Sequence, residues 1–286
     1  MNPALSLIVP AYDESTRIGN SLQLIFDYFK DQSYDAEVIV VDDGSTDDTA
    51  QTAEKSFAGR GRVEAEVIRV RPNRGKGHAV RVGLLAARAP VAVFSDADLS
   101  TPITELPKVV DPVTRGDYDL VFGSRALDRS LIGVHQSWRR EQGGRAINSL
   151  VKLATGMPFS DTQCGFKAFR MDVCRPVVEA GRIDRFGFDI ELLYIAHLAK
   201  LRMLEQAVRW DHYEGSKLSP LRDGLRMLNE VREIHANARR GYYDEAVRSA
   251  SRIMAQKTGR AVFDSSREMA VESDASPHLA SPAQRI

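Results

Sequence analysis

Five short apolar runs, four of them leading into a polar cluster at a strand end, set the terms for how this chain can fold. Leu5 to Val9, Val38 to Val41, Val67 to Val70, Val91 to Phe94 and Tyr118 to Phe122 are brief and rich in β-branched residues. Runs of this length and composition read as strands buried on both faces. Helical segments lie between them, at about 15–30, 46–57, 76–88 and 103–115. Ser45-Thr-Asp-Asp48 opens the second as an N-cap with acidic residues in its first turn, and Thr101-Pro102 opens the fourth with an early proline. Alternation of strand and helix predicts an α/β fold, a doubly wound and mainly parallel sheet flanked by helices in a single domain.

In such a sheet, ligands bind beyond the carboxyl ends of the strands. The runs here lead into Tyr12-Asp-Glu14, Asp42-Asp-Gly-Ser45, Asp96-Ala-Asp98 and Gly123-Ser-Arg125. One polar strand end is ordinary loop chemistry, since Asp, Gly and Ser serve turns. Four of them on one edge of a sheet predict an active site.

The second half is less regular. Segments 139–156 and 187–200 read as helices, Ala207 to Trp210 as a strand, and Leu225, Leu228, Val231 and Ile234 follow a helical period. The expected domain spans 1–240, with a donor half of about 1–125 and an acceptor half of about 126–240. Residues 241–286 form a C-terminal extension, expected to be mobile after about 253, where Ser, Ala, Pro and charged residues take over.

Global charge points to no partner: Lys plus Arg is 39, Asp plus Glu is 39, and neither nucleic acid nor an acidic surface is implied. The two cysteines, Cys164 and Cys174, make neither a disulfide framework nor a zinc pattern and read as reduced thiols. The first residues lack the basic and small-residue features of a signal peptide. No apolar run approaches the roughly 20 residues needed to span a bilayer. A cytoplasmic protein is expected, with peripheral contact at the inner face of a membrane left open.

Asp96 and Asp98, one residue apart after a buried strand, suit a single hard divalent cation shared with substrate phosphates. Such a cation would neutralise a departing diphosphate. Asp42 and Asp43 suit hydrogen bonds to a base or ribose, or the capping of the helix that follows. Tyr12 and Glu14 suit stacking and hydrogen bonding to the same base. Asn73-Arg-Gly-Lys-Gly-His78 is a basic, glycine-punctuated turn whose amides and Lys76 suit a phosphate. It is neither a Walker loop nor a Gly-x-Gly-x-x-Gly fingerprint. Arg125, Arg129, Arg139, Arg140 and Arg145 concentrate positive charge, and Arg125, at a strand end, is the best placed for a phosphate. Asp189 and Glu191 are candidates for a base or for positioning an acceptor, or stabilise a helix dipole. Gly215-Ser-Lys217 is a second phosphate-friendly turn, and Gly165 marks a tight bend beside the site.

Taken together these motifs resemble the family 2 glycosyltransferases, which have the GT-A fold. Ile8-Val-Pro-Ala-Tyr-Asp-Glu14, Val40-Val-Asp-Asp-Gly-Ser-Thr-Asp47, Asn73-Arg-Gly-Lys-Gly77 and Asp96-Ala-Asp98 fall in that family's order. Gly123-Ser-Arg125, Asp161-Thr-Gln-Cys-Gly-Phe-Lys167, Phe188-Asp-Ile-Glu-Leu-Leu-Tyr194 and Glu214-Gly-Ser-Lys-Leu218 are similar to its dolichyl-phosphate β-glucosyltransferase branch. The resemblance implies a metal-dependent, inverting hexosyltransferase with UDP-glucose as donor and a dolichyl or other polyprenyl phosphate as acceptor. It implies Mg²⁺ or Mn²⁺ at Asp96 and Asp98. Pro10, Ala11, Tyr12, Glu14, Asp42, Asp43, Lys76, Asp96, Ala97, Arg139 and Gln163 become substrate-binding candidates. Asp98, Arg125, Asp189, Glu191 and Lys217 become catalytic ones, with Arg125 and Lys217 suited to the acceptor phosphate. Two other readings remain: the same donor chemistry with a soluble hydroxyl acceptor, and a sugar nucleotidyltransferase.

Overall fold

The structure is a computed structural model and describes residues 3–134, 148–211 and 220–257. Its centre is a seven-stranded sheet. The strands are β1 (Leu5–Ala11), β2 (Ala36–Asp42), β3 (Glu64–Arg69), β4 (Val91–Ser95), β5 (Leu120–Ser124), β7 (Phe166–Arg170) and β8 (Met203–Ala207). They run in the order β3-β2-β1-β4-β7-β5-β8. Every neighbouring pair is parallel except those made by β7, which lies antiparallel between β4 and β5. A short β6 (Ile132–Val134) pairs with β9 (Trp210–Asp211) in a separate ribbon.

β1, β2, β4 and β5 are buried throughout, as continuous apolar runs predict. Their side chains alternate between two cores because successive residues of a strand point to opposite faces. Ile8, Val41 and Phe94 enter one core with α3 (Lys76–Ala86), α6 (Met171–Ala180), α7 (Phe188–Leu198) and α8 (Pro220–Arg239). Leu7, Val9, Val40 and Val93 enter the other with α1 (Ile18–Lys30) and α4 (Leu106–Thr114). Complete burial of each such side chain contributes about 1.5–3 kcal/mol. α2 (Thr49–Ser56) packs beside α1, and residues 148–155 form the described part of α5. A last helix, α9, covers 244–257; Tyr243, Ala246 and Ala250 are buried in the first core, so the packed body runs on past residue 240.

Three expectations change, and one strand and one helix were not expected. β3 is an edge strand with half-exposed side chains, not one buried on both faces. α2 begins at Thr49; Asp47 accepts from the Thr49 amide at 3.0 Å, so the acidic residues precede the first turn instead of lying in it. The strand expected over 207–210 is two strands, β8 and β9, which belong to different sheets. β7 and α6 went unread, because Lys167 and Arg170 break the apolar run that a central strand normally shows.

Candidate active site

The carboxyl ends of β1, β2 and β4 lie in register, with Ala11 opposite Asp42, and their loops are tied together. The loop after β1 turns at Asp13, whose φ is +51°. Its amides reach across to the loop after β2: Asp13 to Ser45 Oγ at 3.0 Å, Glu14 to Thr49 Oγ1 at 2.8 Å and Ser15 to Asp47 at 3.2 Å. Pro10 and Ala11 are buried in the strand, while Tyr12 is 44% exposed and its ring is open to a ligand. Glu14 clamps Arg17 through both carboxylate oxygens, one of them 2.7 Å from Nη2. Glu14 therefore acts on the site through Arg17. The hydrogen bond to Glu14 raises the Arg17 pKa, and Asp98 and Asp96 raise it further, which places this guanidinium within electrostatic reach of both aspartates. Sequence reasoning passed over Arg17; its spacing of three from Glu14 was the available signal.

Asp42 and Asp43 divide their tasks. Asp43 accepts from the amides of Arg74 (3.1 Å) and Gly75 (2.6 Å), so it pins the basic turn before α3. Asp42 accepts from the Ser45 amide at 3.0 Å with one oxygen. Its other oxygen has no hydrogen-bond partner among the described residues; Arg71 Nη1 lies 3.5 Å away. Asp42 thus has one buried oxygen that makes no hydrogen bond among the described residues and pairs with Arg71, whereas both oxygens of Asp43 accept hydrogen bonds. The amide cradle expected at 73–78 is largely occupied too, because the His78 amide donates to the Asp184 carbonyl at 3.1 Å. What the turn presents to the site is Lys76.

Lys76 Nζ forms an ion pair with Asp96 Oδ1, and both side chains are partly exposed. Burial works against the Lys76 charge, but Asp96, Asp189 and Asp98 more than offset it and its pKa is raised. Asp98 is partly exposed and accepts from the Ser100 amide at 2.9 Å, closing a turn in which Leu99 takes φ +50°. Ala97 between them is buried. The Asp96 amide donates to the Gly165 carbonyl at 3.1 Å, and a Cβ at Gly165 would collide with all three carboxyl atoms of Asp96. The room Asp96 occupies exists because residue 165 is glycine. No group of three or more His, Cys, Asp or Glu side chains poised for a metal occurs among the described residues. Two partly exposed carboxylates nonetheless fit Mg²⁺ or Mn²⁺, hard cations that take one or two protein oxygens and complete their shell with phosphates and water.

Arg125 is held more tightly than its position in the sequence suggests. It donates to Asp161 through Nε (2.7 Å), Nη2 (2.8 Å) and its amide (3.0 Å), and stands 5.6 Å over the Trp210 ring. Burial alone would raise the Asp161 pKa; Arg125 overcomes it and holds the carboxyl at about 2. The bidentate face of Arg125 is therefore turned to protein, a correction to its expected role as a bidentate phosphate ligand. The Gln163 amide also donates to Asp161, at 3.2 Å.

The two carboxylates considered as bases are both buried. Asp189 Oδ1 accepts from Lys167 Nζ at 2.6 Å, and burial raises its pKa although Lys167 and Lys76 oppose the rise. Glu191 Oε2 accepts from the amides of Arg182 and Ile183, both at 2.8 Å, and Oε1 accepts from the Tyr243 hydroxyl at 2.6 Å. Glu191 is thus a structural clamp between the loop before α7 and the chain entering α9, not a base. Glu191→Gln should leave kcat within twofold and lower stability by about 1–3 kcal/mol, since one of these buried donors must lose its acceptor. Urea unfolding beside steady-state kinetics checks this; a hundredfold kcat loss at unchanged stability would restore the base. Arg139 and Lys217 lie outside the described residues. Cys164 and Cys174 are buried free thiols, and burial pushes Cys164 up to about 11.

Known proteins resemble this chain in sequence and in fold. The chain is 37% identical to the dolichyl-phosphate beta-glucosyltransferase of Drosophila melanogaster over 239 residues, 79% of this chain and 73% of that protein. It is 34% identical to the Homo sapiens enzyme of the same name over 238 residues, again 79% and 73%. Among solved structures, Mycobacterium tuberculosis glucosyl-3-phosphoglycerate synthase in complex with Mn²⁺, UDP-glucose and phosphoglyceric acid superposes with a TM-score of 0.53. That match has 22% identity and covers 80% of this chain and 79% of that one, a likeness of fold. Residues 6–177 match the family model described as glycosyl transferase family 2, and the chain belongs to that family.

Proposed function

We propose that this protein transfers glucose from UDP-glucose to a polyprenyl phosphate of the dolichyl type, with inversion at the anomeric carbon and with a divalent cation. The observation that carries the acceptor class is the state of the two candidate bases. Asp189 is bound to Lys167 and Glu191 to Tyr243 and two amides, so neither is free to deprotonate a hydroxyl. A phosphate monoester has a second pKa of about 6 and is already largely ionised near neutral pH, so it needs no base. The relatives' names carry the same acceptor.

Asp96 and Asp98 would hold Mg²⁺ or Mn²⁺. A cation there, when bound, neutralises the diphosphate and improves it as a leaving group. The chain's own residues surround that point with complementary charge. Lys76 offers a cation to the developing negative charge on UDP, and Arg17, its bidentate face held by Glu14, adds only its charge from a distance. Asp42, whose second oxygen makes an ion pair with Arg71 but no hydrogen bond among the described residues, would accept from a donor on the nucleoside once Arg71 gives way, and Tyr12 offers an exposed ring. An acceptor phosphate oxygen attacks the anomeric carbon from the face opposite UDP. The new C–O bond forms as the bond to the diphosphate oxygen breaks, and that oxygen leaves with the electron pair.

The nucleotide product tests the reaction class. UDP-glucose, Mn²⁺ and a short polyprenyl phosphate should yield UDP and a β-linked product by chromatography and NMR. Pyrophosphate release from UTP and glucose 1-phosphate would establish a nucleotidyltransferase instead. No helix among the described residues is long and apolar enough to cross a membrane.

A further inference from the structure

Lys167 lies in the middle of the sheet and is fully buried. Taking an ammonium and a carboxylate out of water costs several kcal/mol per ion, and apolar residues of similar volume usually serve stability as well or better. The pair is therefore poorly explained by stability alone. Its contacts join three parts of the site. Lys167 Nζ donates to the Cys164 carbonyl and to Asp189 Oδ1, both at 2.6 Å, and sits 5.4 Å from the Phe94 ring. Cys164 leads into Gly165, on whose carbonyl the Asp96 amide rests. Asp189 belongs to the first turn of α7, and the loop before α7 is pressed onto the turn that carries Lys76. There Asp184 accepts from Arg74 at 2.8 Å and from the His78 amide at 3.1 Å, and Gly77 has no room for a Cβ against Phe188.

These links close a ring: Lys167 to the 164–165 turn, that turn to Asp96, Asp96 to Lys76, the Lys76 turn to α7, and Asp189 back to Lys167. We propose that the buried Lys167–Asp189 pair sets the distance between Asp96 and Lys76, so that Lys167 and Asp189 are positioning residues for the metal–diphosphate centre without touching either ligand. Asp189 also acts on the Lys76 charge through space. The inference rests on the functional reading above and assigns Asp189 a role different from that of a base.

The test reads Mn²⁺–UDP binding by electron paramagnetic resonance, beside the kcat and KM for UDP-glucose. Lys167→Met with Asp189→Leu replaces the pair by apolar residues, which preserves packing. This double variant should melt cooperatively, bind Mn²⁺–UDP at least tenfold more weakly and lose at least tenfold in kcat. Asp189→Glu keeps both charges and lengthens the link by one methylene, a change that a packed core accommodates by small shifts of its neighbours. It should weaken Mn²⁺–UDP binding at least fivefold, and it carries the test alone if the double variant does not fold. Binding within twofold of the unaltered protein in either folded variant overturns the inference. Failure of the unaltered protein to bind Mn²⁺–UDP overturns the functional reading and the inference with it.

Discussion

Asp98→Ala should lower turnover at least ~10³-fold while the protein stays folded. Asp98 is partly exposed, and the hydrogen bond it makes is local, to the Ser100 amide at 2.9 Å. Losing that bond costs about 1 kcal/mol of stability. Losing a carboxylate that seats the cation removes several kcal/mol of charge stabilisation from the departing diphosphate, and each 1.36 kcal/mol is a factor of ten in rate. The two effects differ enough in size to be separated: kcat collapses while the melting temperature moves by only a few degrees. Turnover above a tenth of the parent's, undiminished by a chelator, would remove the metal from Asp98.

Gly165→Ala should lower kcat/KM about a hundredfold through a single methyl group. That methyl falls on the Asp96 carboxyl, which must swing away or push the 164–165 turn back. Either movement disturbs the Lys76–Asp96 pair and the ladder bond from the Asp96 amide. A displacement of about 1 Å at a reacting centre can cost about 10²-fold. Weaker Mn²⁺–UDP binding should accompany the loss. Unchanged kinetics would mean that Asp96 needs no fixed place.

The first half of the fold was legible in the sequence because its rules are local. Buried parallel strands write themselves as apolar runs, and the polar ends of those runs converge once the strands are parallel. Asp96, Asp98 and Asp42 become candidates in this way, and Lys76 through the basic, glycine-punctuated turn that carries it. What escaped depends on pairing between distant segments. β7 carries Lys167, whose charge hides a central strand until its partner Asp189, 22 residues on, is placed beside it. Arg125 reads as a free cation until Asp161 closes on it from 36 residues away. Glu191 reads as a base until Tyr243, 52 residues on, occupies it. The roles considered for Arg125 and Glu191 gave to a ligand a charge that the fold pairs internally. A buried charge must be paired, and the sequence shows the charge without showing its partner.

The measurement closest to the central claim is the transfer of radiolabelled glucose from UDP-glucose, with Mn²⁺ or Mg²⁺ and a short-chain polyprenyl phosphate, followed by partition into organic solvent. Label in the organic phase, dependent on the cation and lost in Asp98→Ala, is the predicted result. Label that stays in water while the protein binds UDP-glucose tightly would contradict it, and would mean that the acceptor is soluble.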